Sequence, residues 1–389
     1  MRLVDYVNEG IRPVQSNDDC KNCSDCLQVC PAVETDFLMT NAVVSHESRK
    51  WGQVLEIWEG HASDPEIRFK GSSGGALTAL SAYCLERLGM HGVLHIGADE
   101  SDPVRNRTRL SKSREDLLKA VGSRYSPAAV CEHLELVEKA PSQCVVIGKP
   151  SEIAGLTNAI KVRPGLGAKV GVALSFFCAE SPSTNGTLAL LDKMRIDGAS
   201  LGGLRYRGFG WPGHFAPTLK GATEPDQKIS YRESWGFLQA FRPWSVQLWP
   251  DGTGELADIS CGDPWYEQPD GQNPGFSLVV VRTPRGQEIV RGAIEAGYLQ
   301  LKQAEFWKLE KSQSGLIKKK GAVWGRRLAL RLAGLPVTKF RNLDLFHCWR
   351  KLSFSEQVKS IVGTLRRIML RKLYRRLDLS SENRRSEAT

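Results

Sequence analysis

No apolar run in these 389 residues approaches the about 18 that a membrane-spanning helix needs. The N-terminal stretch MRLVDYVNEGIRPV carries acidic residues where the apolar core of a signal peptide would stand. The chain is therefore expected in the cytosol, where thiols stay reduced. Internal repeats are absent, and so are an HExxH pair, a Walker loop and an ordered Ser–His–Asp set, which leaves hydrolase chemistry without support. Acidic residues are scarce toward one end. From Leu301 onward there are 22 Lys and Arg against 7 Asp and Glu, a net +15, so the first 300 residues carry −5 of the chain's +10. What remains is ordinary for a globular protein, with 41% apolar and 25% charged residues and a length that suggests two or three domains.

Cysteine is not scarce. Ten are present, and four fall within eleven positions in CKNCSDCLQVCP, residues 20–31. Disulfides are a poor account, because neighbours three apart rarely pair and a chain this long needs no staples. Zinc sites usually bring together two separated CxxC knuckles, or one knuckle and two histidines. Here Cys20, Cys23 and Cys26 follow at gaps of two, and Cys30 arrives three residues later with Pro31 behind it. That is the spacing of the bacterial ferredoxin run for a cubane [4Fe-4S] cluster. In two-cluster ferredoxins the cysteine before the proline serves the other cluster, and this chain has no second CxxCxxC run. Cys30 closes the same cluster, or a remote thiol does, with Cys178 and Cys261 as candidates. Cys84, Cys131, Cys144 and Cys348 are isolated and read as buried fillers.

Downstream, apolar periodicity predicts a helix from Leu77 to Leu88 capped by Gly89 and a strand over Gly92–Ala98. It further predicts a helix within 111–126 ending at Gly122, strands over 143–150 and 169–178, and a helix near 186–195. A long irregular insertion precedes a last strand at 276–283 and its helix. Strands alternating with helices argue for an α/β core with a mixed, largely parallel sheet. The expected division is a ferredoxin-like module over 1–45, two parts of the α/β body over 46–165 and 166–305, and a basic helical tail over 306–389.

Three loops fall at strand-to-helix junctions, where α/β sheets bind ligands. KGSSGG combines Lys70, Ser72, Ser73, Gly74 and Gly75 before a helix, which suits a phosphate, although a glycine–serine turn there is also an ordinary helix cap. GSRY supplies Gly122, Ser123 and Tyr125, and GKP supplies Gly148 and Lys149. Together, beside a one-electron cluster, they point to a nucleotide cofactor and to a flavin, which exchanges hydride for single electrons. The Gly/Pro-rich stretch LRYRGFGWPGH holds Arg205, Arg207 and His214, candidates for catalysis or substrate anchoring, or simply members of a structural loop. Asp258 reads as structural.

These stretches, with VVIGKPSEIAGL, LSFFCAESPS, YRESWG and LWPDGTGELADISCGDPW, resemble the coenzyme F420 hydrogenase/dehydrogenase beta subunit family from Cys20 to about Gln303. The resemblance implies a noncovalent FAD, one or two [4Fe-4S] clusters, and electron transfer between a reduced carrier and a second substrate. The carrier implied is reduced ferredoxin or a deazaflavin coenzyme. Members include chlorophyll-pathway reductases and proteins found beside polysaccharide biosynthesis genes. RYRGFGWPG and SYRESWG are most similar to the latter, which implies a small-molecule or sugar-linked substrate. Ser151, Val246 and Trp249 stand where the family commonly has cysteines, whereas Cys178 matches its FC position. One cluster is therefore expected. The alternative is an electron-transfer or scaffold protein that has lost turnover.

In the tail, residues 358–377 place Val358, Ile361, Val362, Leu365, Ile368, Met369, Leu373 and Leu377 on one side of a basic amphipathic helix. Such a helix suits peripheral contact with an anionic membrane or an acidic partner, or docks on its own domain. Nucleic acid is not expected, because no aromatic or groove-reading motif accompanies the charge. Nothing in the sequence sets the oligomeric state.

Overall fold

The apolar runs that read as strands pair side by side into one sheet. A computed structural model describes the chain over residues 2–15, 23–38, 48–269 and 273–375. The sheet's strands are β1 (Glu56–Ala62), β2 (Val93–Ala98), β3 (Asn106–Ser111), β4 (Cys144–Gly148), β5 (Val170–Phe176), β6 (Ile259–Gly262), β7 (Ser277–Val281) and β8 (Leu299–Gln303). They lie in the order β8-β1-β7-β6-β5-β4-β2-β3. The central β6, β5, β4 and β2 pair in parallel. β7, β1 and β8 extend one side and β3 the other, all antiparallel.

The helices used below are α1 (Asp25–Val29), α2 (Pro65–Lys70), α3 (Ala76–Glu86), α4 (Pro150–Val162), α5 (Tyr231–Leu238), α6 (Pro284–Glu295), α7 (Ser314–Leu332), α8 (Leu345–Arg350) and α9 (Phe354–Leu370). Successive strand residues point to opposite faces, so neighbours in sequence enter different cores. Val93, Val145 and Val172 pack under α3 and α6, with Leu80 and Ile289. Leu94 and Val146 pack under α4, with Ile153 and Leu156. The result is a three-layered α/β body.

Three segments differ from the sequence expectation, the first being the tail helix, which spans Phe354–Leu370 and not 358–377, with Leu377 outside the described residues. The helix placed within 111–126 spans only Arg114–Lys119, capped by Ser113 Oγ, which accepts from the Asp116 N–H at 3.2 Å. Its start is displaced because Asn106–Ser111 is drawn into the sheet as the partner of β2. The insertion is not irregular. Leu201–Arg205, His214–Leu219 and Ile229–Ser230 form a small antiparallel sheet that shares a core with α5, built on Leu190, Leu204, Tyr206, Phe215 and Leu238. Its short, glycine-interrupted strands give too little alternation to be read from sequence.

The tail is built into the body. Lys320 of α7 is buried; its Nζ donates to both carboxylate oxygens of Glu255 at 2.7 and 2.8 Å and to the Lys50 carbonyl at 2.8 Å. A Cβ at Gly325 would come within 1.9 Å of Ser360 Oγ, so only glycine lets α7 and α9 approach so closely. α9 docks through Ser360, Thr364 and Ile368 and leaves Val358, Val362, Met369 and Leu370 exposed. Small hydroxyl residues take the contact because they fit that spacing and satisfy themselves there: Thr364 Oγ1 donates to the Ser360 carbonyl, and Trp349 Nε1 to Ser360 Oγ. Lys339–Arg341 pairs in parallel with Glu34–Asp36, tying the tail to the cysteine segment. Among the described residues no helix is long and apolar enough to cross a membrane.

Candidate functional site

β1, β4, β5 and β6 point the same way, and their carboxyl ends open toward one edge of the sheet. From that edge rise KGSSGG (through α2), Lys149, the Cys178–Glu180 turn and Asp263. Arg207 is the brace of the arrangement. It is 2% exposed, forks onto Asp263 (Nη1–Oδ2 2.8 Å, Nη2–Oδ1 2.6 Å), and donates to the Pro212 and Ser72 carbonyls at 2.9 and 2.5 Å. Its guanidinium lies 4.5 Å from the ring centre of Tyr231, which stacks on Trp265. Burial opposes its charge, but the Asp263 carboxylate and the surrounding phenols outweigh burial and raise its pKa. Trp211 Nε1 donates to the same carboxylate at 2.9 Å. Arg207 thus holds KGSSGG, the RYRGFGWPG loop and the end of β6 in one unit.

The GSRY loop joins it. The Ser123 N–H donates to Ser72 Oγ at 2.6 Å. Tyr125 packs on Tyr206, Tyr231 and Trp235. Gly122, at φ +108°, faces the carbonyls of Arg207 and Lys70 with nothing closer than 3.5 Å to an added Cβ. Gly74 and Gly75 are different. A Cβ on Gly74 would meet the Gly60 carbonyl oxygen and Phe276 Cα at 2.6 Å, and one on Gly75 would meet the Ile67 oxygen at 2.7 Å. The Gly74 N–H is already bonded to Ser277 Oγ at 2.9 Å, and Ser73 Oγ bonds that same hydroxyl. Packing explains both glycines. Ser72, Ser123, Gly122 and the half-exposed Lys70 form the outward rim; Lys70 pairs with Glu66 at 2.6 Å.

The remaining expected residues lie apart. Lys149, at the end of β4 beside Gly148, is partly buried and donates to Glu152 at 2.9 Å and to the Ala128 carbonyl at 3.2 Å. Burial acts against its charge, but Glu152 prevails and raises its pKa. Its neighbours are Cys178 and Glu180 rather than the KGSSGG rim. Arg205 lies 3.8 Å over Phe209, and its Nε is buried without a hydrogen-bond partner. Phe209 and Phe69 make an exposed edge-to-face pair. His214 is exposed at the start of its strand. Asp258 accepts from the Ala173 N–H and from Thr283 Oγ1, a structural joint. Sequence reasoning missed Asp263, Tyr231, Trp265 and Ser277. An acid directly after the apolar run ISCG was the one available signal, since it sits at a strand's carboxyl end.

Cys20 lies outside the described residues. Cys23, Cys26 and Cys30 are free thiols around the single helical turn α1, entered through Ser24 in the left-handed region at φ 61°. Among the described residues no three such side chains already converge on a metal position. The donor chemistry nevertheless fits an iron–sulfur cluster: reduced thiols on one short loop–helix–loop. Pro31 lies near Gly155 of α4, and Cys131 lies on the same side, its thiol donating to the Glu152 carbonyl. Cys261 sits in the apolar core of the sheet, and burial alone pushes its thiol up to about 12. Burial and then Glu180 push Cys178 up to about 12.

Known proteins share this fold. The family whose description is coenzyme F420 hydrogenase/dehydrogenase, beta subunit, matches in two parts: its N-terminal part over residues 57–135 and its C-terminal part over residues 142–306. A coenzyme F420 hydrogenase subunit beta from Methanococcus voltae is 25% identical over 295 residues, covering 74% of this chain and 99% of its own length. The counterpart from Methanosarcina barkeri is 26% identical over 65% of this chain and 84% of its own. A coenzyme F420-dependent sulfite reductase from Methanocaldococcus jannaschii is 23% identical over 72% of this chain, which spans 42% of that protein. Among solved structures, a chain of the F420-reducing [NiFe] hydrogenase complex from Methanosarcina barkeri has the same fold, with a TM-score of 0.55 at 21% identity over 72% of this chain and 94% of its own. The helices α7 to α9 lie beyond the matched span.

Proposed function

The chain belongs to the coenzyme F420 hydrogenase/dehydrogenase beta subunit family, and we propose that it is an oxidoreductase carrying one FAD and one [4Fe-4S] cluster. The observation that carries this reading is the convergence of KGSSGG, GSRY and RYRGFGWPG on the Arg207–Asp263 pair at the carboxyl edge of the sheet. Ser72, Ser123, Gly122 and Lys70 would hold the FAD diphosphate near the N-terminus of α3, whose leading N–H groups favour anions. Arg205 over Phe209, with Phe69 set edge-on beside it, offers an aromatic, cationic surface to a planar ring. FAD supplies exchange between hydride and single electrons when bound. Arg207 and Asp263 position the loops and keep water from their backbone contacts.

Cys20, Cys23, Cys26 and Cys30 are the proposed cluster ligands. A second cluster has no thiols at the positions where relatives commonly carry them: Ser151 opens α4, and Trp249 is buried against Phe37 and Phe340. The proposed electron donor is reduced ferredoxin or a deazaflavin coenzyme such as F420, and the acceptor a small-molecule or sugar-linked substrate. α9, basic with an exposed apolar stripe, is proposed as a peripheral contact with anionic membrane.

Anaerobically purified protein should show flavin bands near roughly 370 and 450 nm over a cluster shoulder near roughly 400 nm, with about four irons per chain. Ser72→Asp keeps an acceptor for the Ser123 N–H but sets a negative charge against the diphosphate. It should release flavin while iron content stays unchanged and the thermal midpoint falls no further than that of the unsubstituted protein stripped of flavin. Full flavin occupancy in that variant would overturn the assigned site, and eight irons would overturn the single cluster. Anaerobic reduction of the bound flavin by each candidate donor separates turnover from a scaffold that only holds the groups.

A further inference from the structure

A cavity of about 380 Å³ lies between α7 and the segment 235–247, behind the Arg207–Asp263 pair. The Gln313 side chain lines it and donates to the Asp263 carbonyl at 3.1 Å, and Trp235, another wall, packs against Tyr125. Three cations enter it: Arg242, Lys319 and Arg326. Arg242 and Arg326 make no ion pair among the described residues; Arg242 donates to the Ala179 and Gln239 carbonyls, and Arg326 to that of Gln247. Lys319 has one carboxylate near it, Glu180, at 3.8 Å, too far for a hydrogen bond. Lys319 Nζ and Ser312 Oγ are both buried without a hydrogen-bond partner, and so is Glu180 Oε1. Arg367 of α9 adds further positive potential: burial, then Arg367 and Arg242, pull Arg326 down to about 10.

Uncompensated charge of one sign is expensive away from water unless a counter-ion fills the space. Two guanidinium forks, one ammonium and one hydroxyl form a donor set matched to tetrahedral oxyanions. We infer that this cavity is a binding site for a small molecule bearing phosphate-class charge, a diphosphate or an organic phosphate whose body rests against Trp235. The volume lies within the roughly 300–1,000 Å³ of small-molecule sites. The excess of at least two positive charges selects against a single carboxylate. α7 supplies Lys319 and Arg326 and lies outside the family-matched span, so two of the three cations come from beyond it. It is independent of the flavin assignment, because none of the residues named for the flavin lines it.

The test is calorimetric titration of sodium pyrophosphate into the protein as purified, at low ionic strength, with the flavin spectrum followed in parallel. Saturable binding with an unchanged flavin spectrum is expected. Arg326→Gln and Lys319→Gln should each weaken it by about tenfold or more, the scale of one charge-assisted hydrogen bond. Arg326→Gln breaks no ion pair and should leave the thermal midpoint of the ligand-free protein unchanged, whereas Lys319→Gln takes from Glu180 its nearest cation and should lower it. Ser312→Ala, a smaller change, should weaken binding without removing it. Absence of saturable binding, binding indifferent to all three variants, or displacement of flavin by pyrophosphate would overturn the inference.

Discussion

Removing the Arg207 side chain would leave Asp263 and Trp211 facing each other with the shared cation gone and the Ser72 and Pro212 carbonyls without their donors. Breaking one partner of a buried pair typically costs about 3–5 kcal/mol. Arg207→Ala is expected to fall in that range by chemical denaturation, and Arg207→Lys to recover only part, because an ammonium cannot span both Asp263 oxygens. A smaller loss in Arg207→Ala than in a surface control would mean the loops are held by other contacts. His95, 7% exposed on β2, gives a pH signature unrelated to the site. Burial, reinforced by Arg109 and opposed by its bond to the Ile96 carbonyl, lowers its pKa from 6.5 to about 4. As pH falls below 6.5 the unfolded chain takes a proton that the native imidazole refuses, so stability drops until about pH 4 and then levels. The full effect is about 3 kcal/mol. His95→Gln should flatten that part of the stability–pH curve, and an unchanged slope would assign it to other groups.

At the scale of elements, α9 is the segment whose chemistry is least used by its own packing. Its docked face is Ser360, Thr364 and Ile368, while Val358, Val362 and Met369 face outward near the exposed Arg366 and Arg371. If this stripe meets a membrane, co-sedimentation with liposomes should rise with anionic lipid and fall with salt, since the charge attraction is screened within about 8 Å at physiological ionic strength. Val362→Asp and Met369→Asp should abolish it without shifting the thermal midpoint, because neither side chain supports the fold. Sedimentation indifferent to lipid charge at low salt would rule the membrane contact out. The KGSSGG turn shows the opposite balance. Gly74 is fixed by the backbone on both sides, so bulky replacements there test packing and say little about a ligand.

For the whole molecule, the C-terminal helices are a structural part of the α/β body. Lys320 places its ammonium on Glu255, and the strand Lys339–Arg341 secures the cysteine segment through Glu34–Asp36, where Arg341 pairs with Glu34 at 2.6 Å. Lys320→Met should cost about 3–5 kcal/mol by leaving Glu255 buried and unpaired, whereas Lys320→Met with Glu255→Leu should restore most of that loss. Denaturation curves of the two variants decide it: equal destabilisation would show that the helix docks through its apolar contacts alone. A chain cut after residue 306 is expected to expose Glu255 and to lose the support of the cysteine loop, lowering iron retention as well as stability.

The sequence by itself determined what is local. Cysteine spacing, apolar runs and glycine–serine turns are written in neighbouring residues, so the thiol segment, the strands around β4, β5 and β7, and the loops at their ends were legible. The edge strand β3 and the small sheet of 201–230 were not, because half-buried or glycine-broken strands lack a periodic signal. Tertiary structure alone decided which polar groups meet. Arg207 and Asp263 are separated by 56 residues, Lys320 and Glu255 by 65, and Lys319 and Glu180 by more than a hundred. Electrostatic pairing depends on distance through space and on exclusion of water, and neither has any trace in the order of residues along the chain.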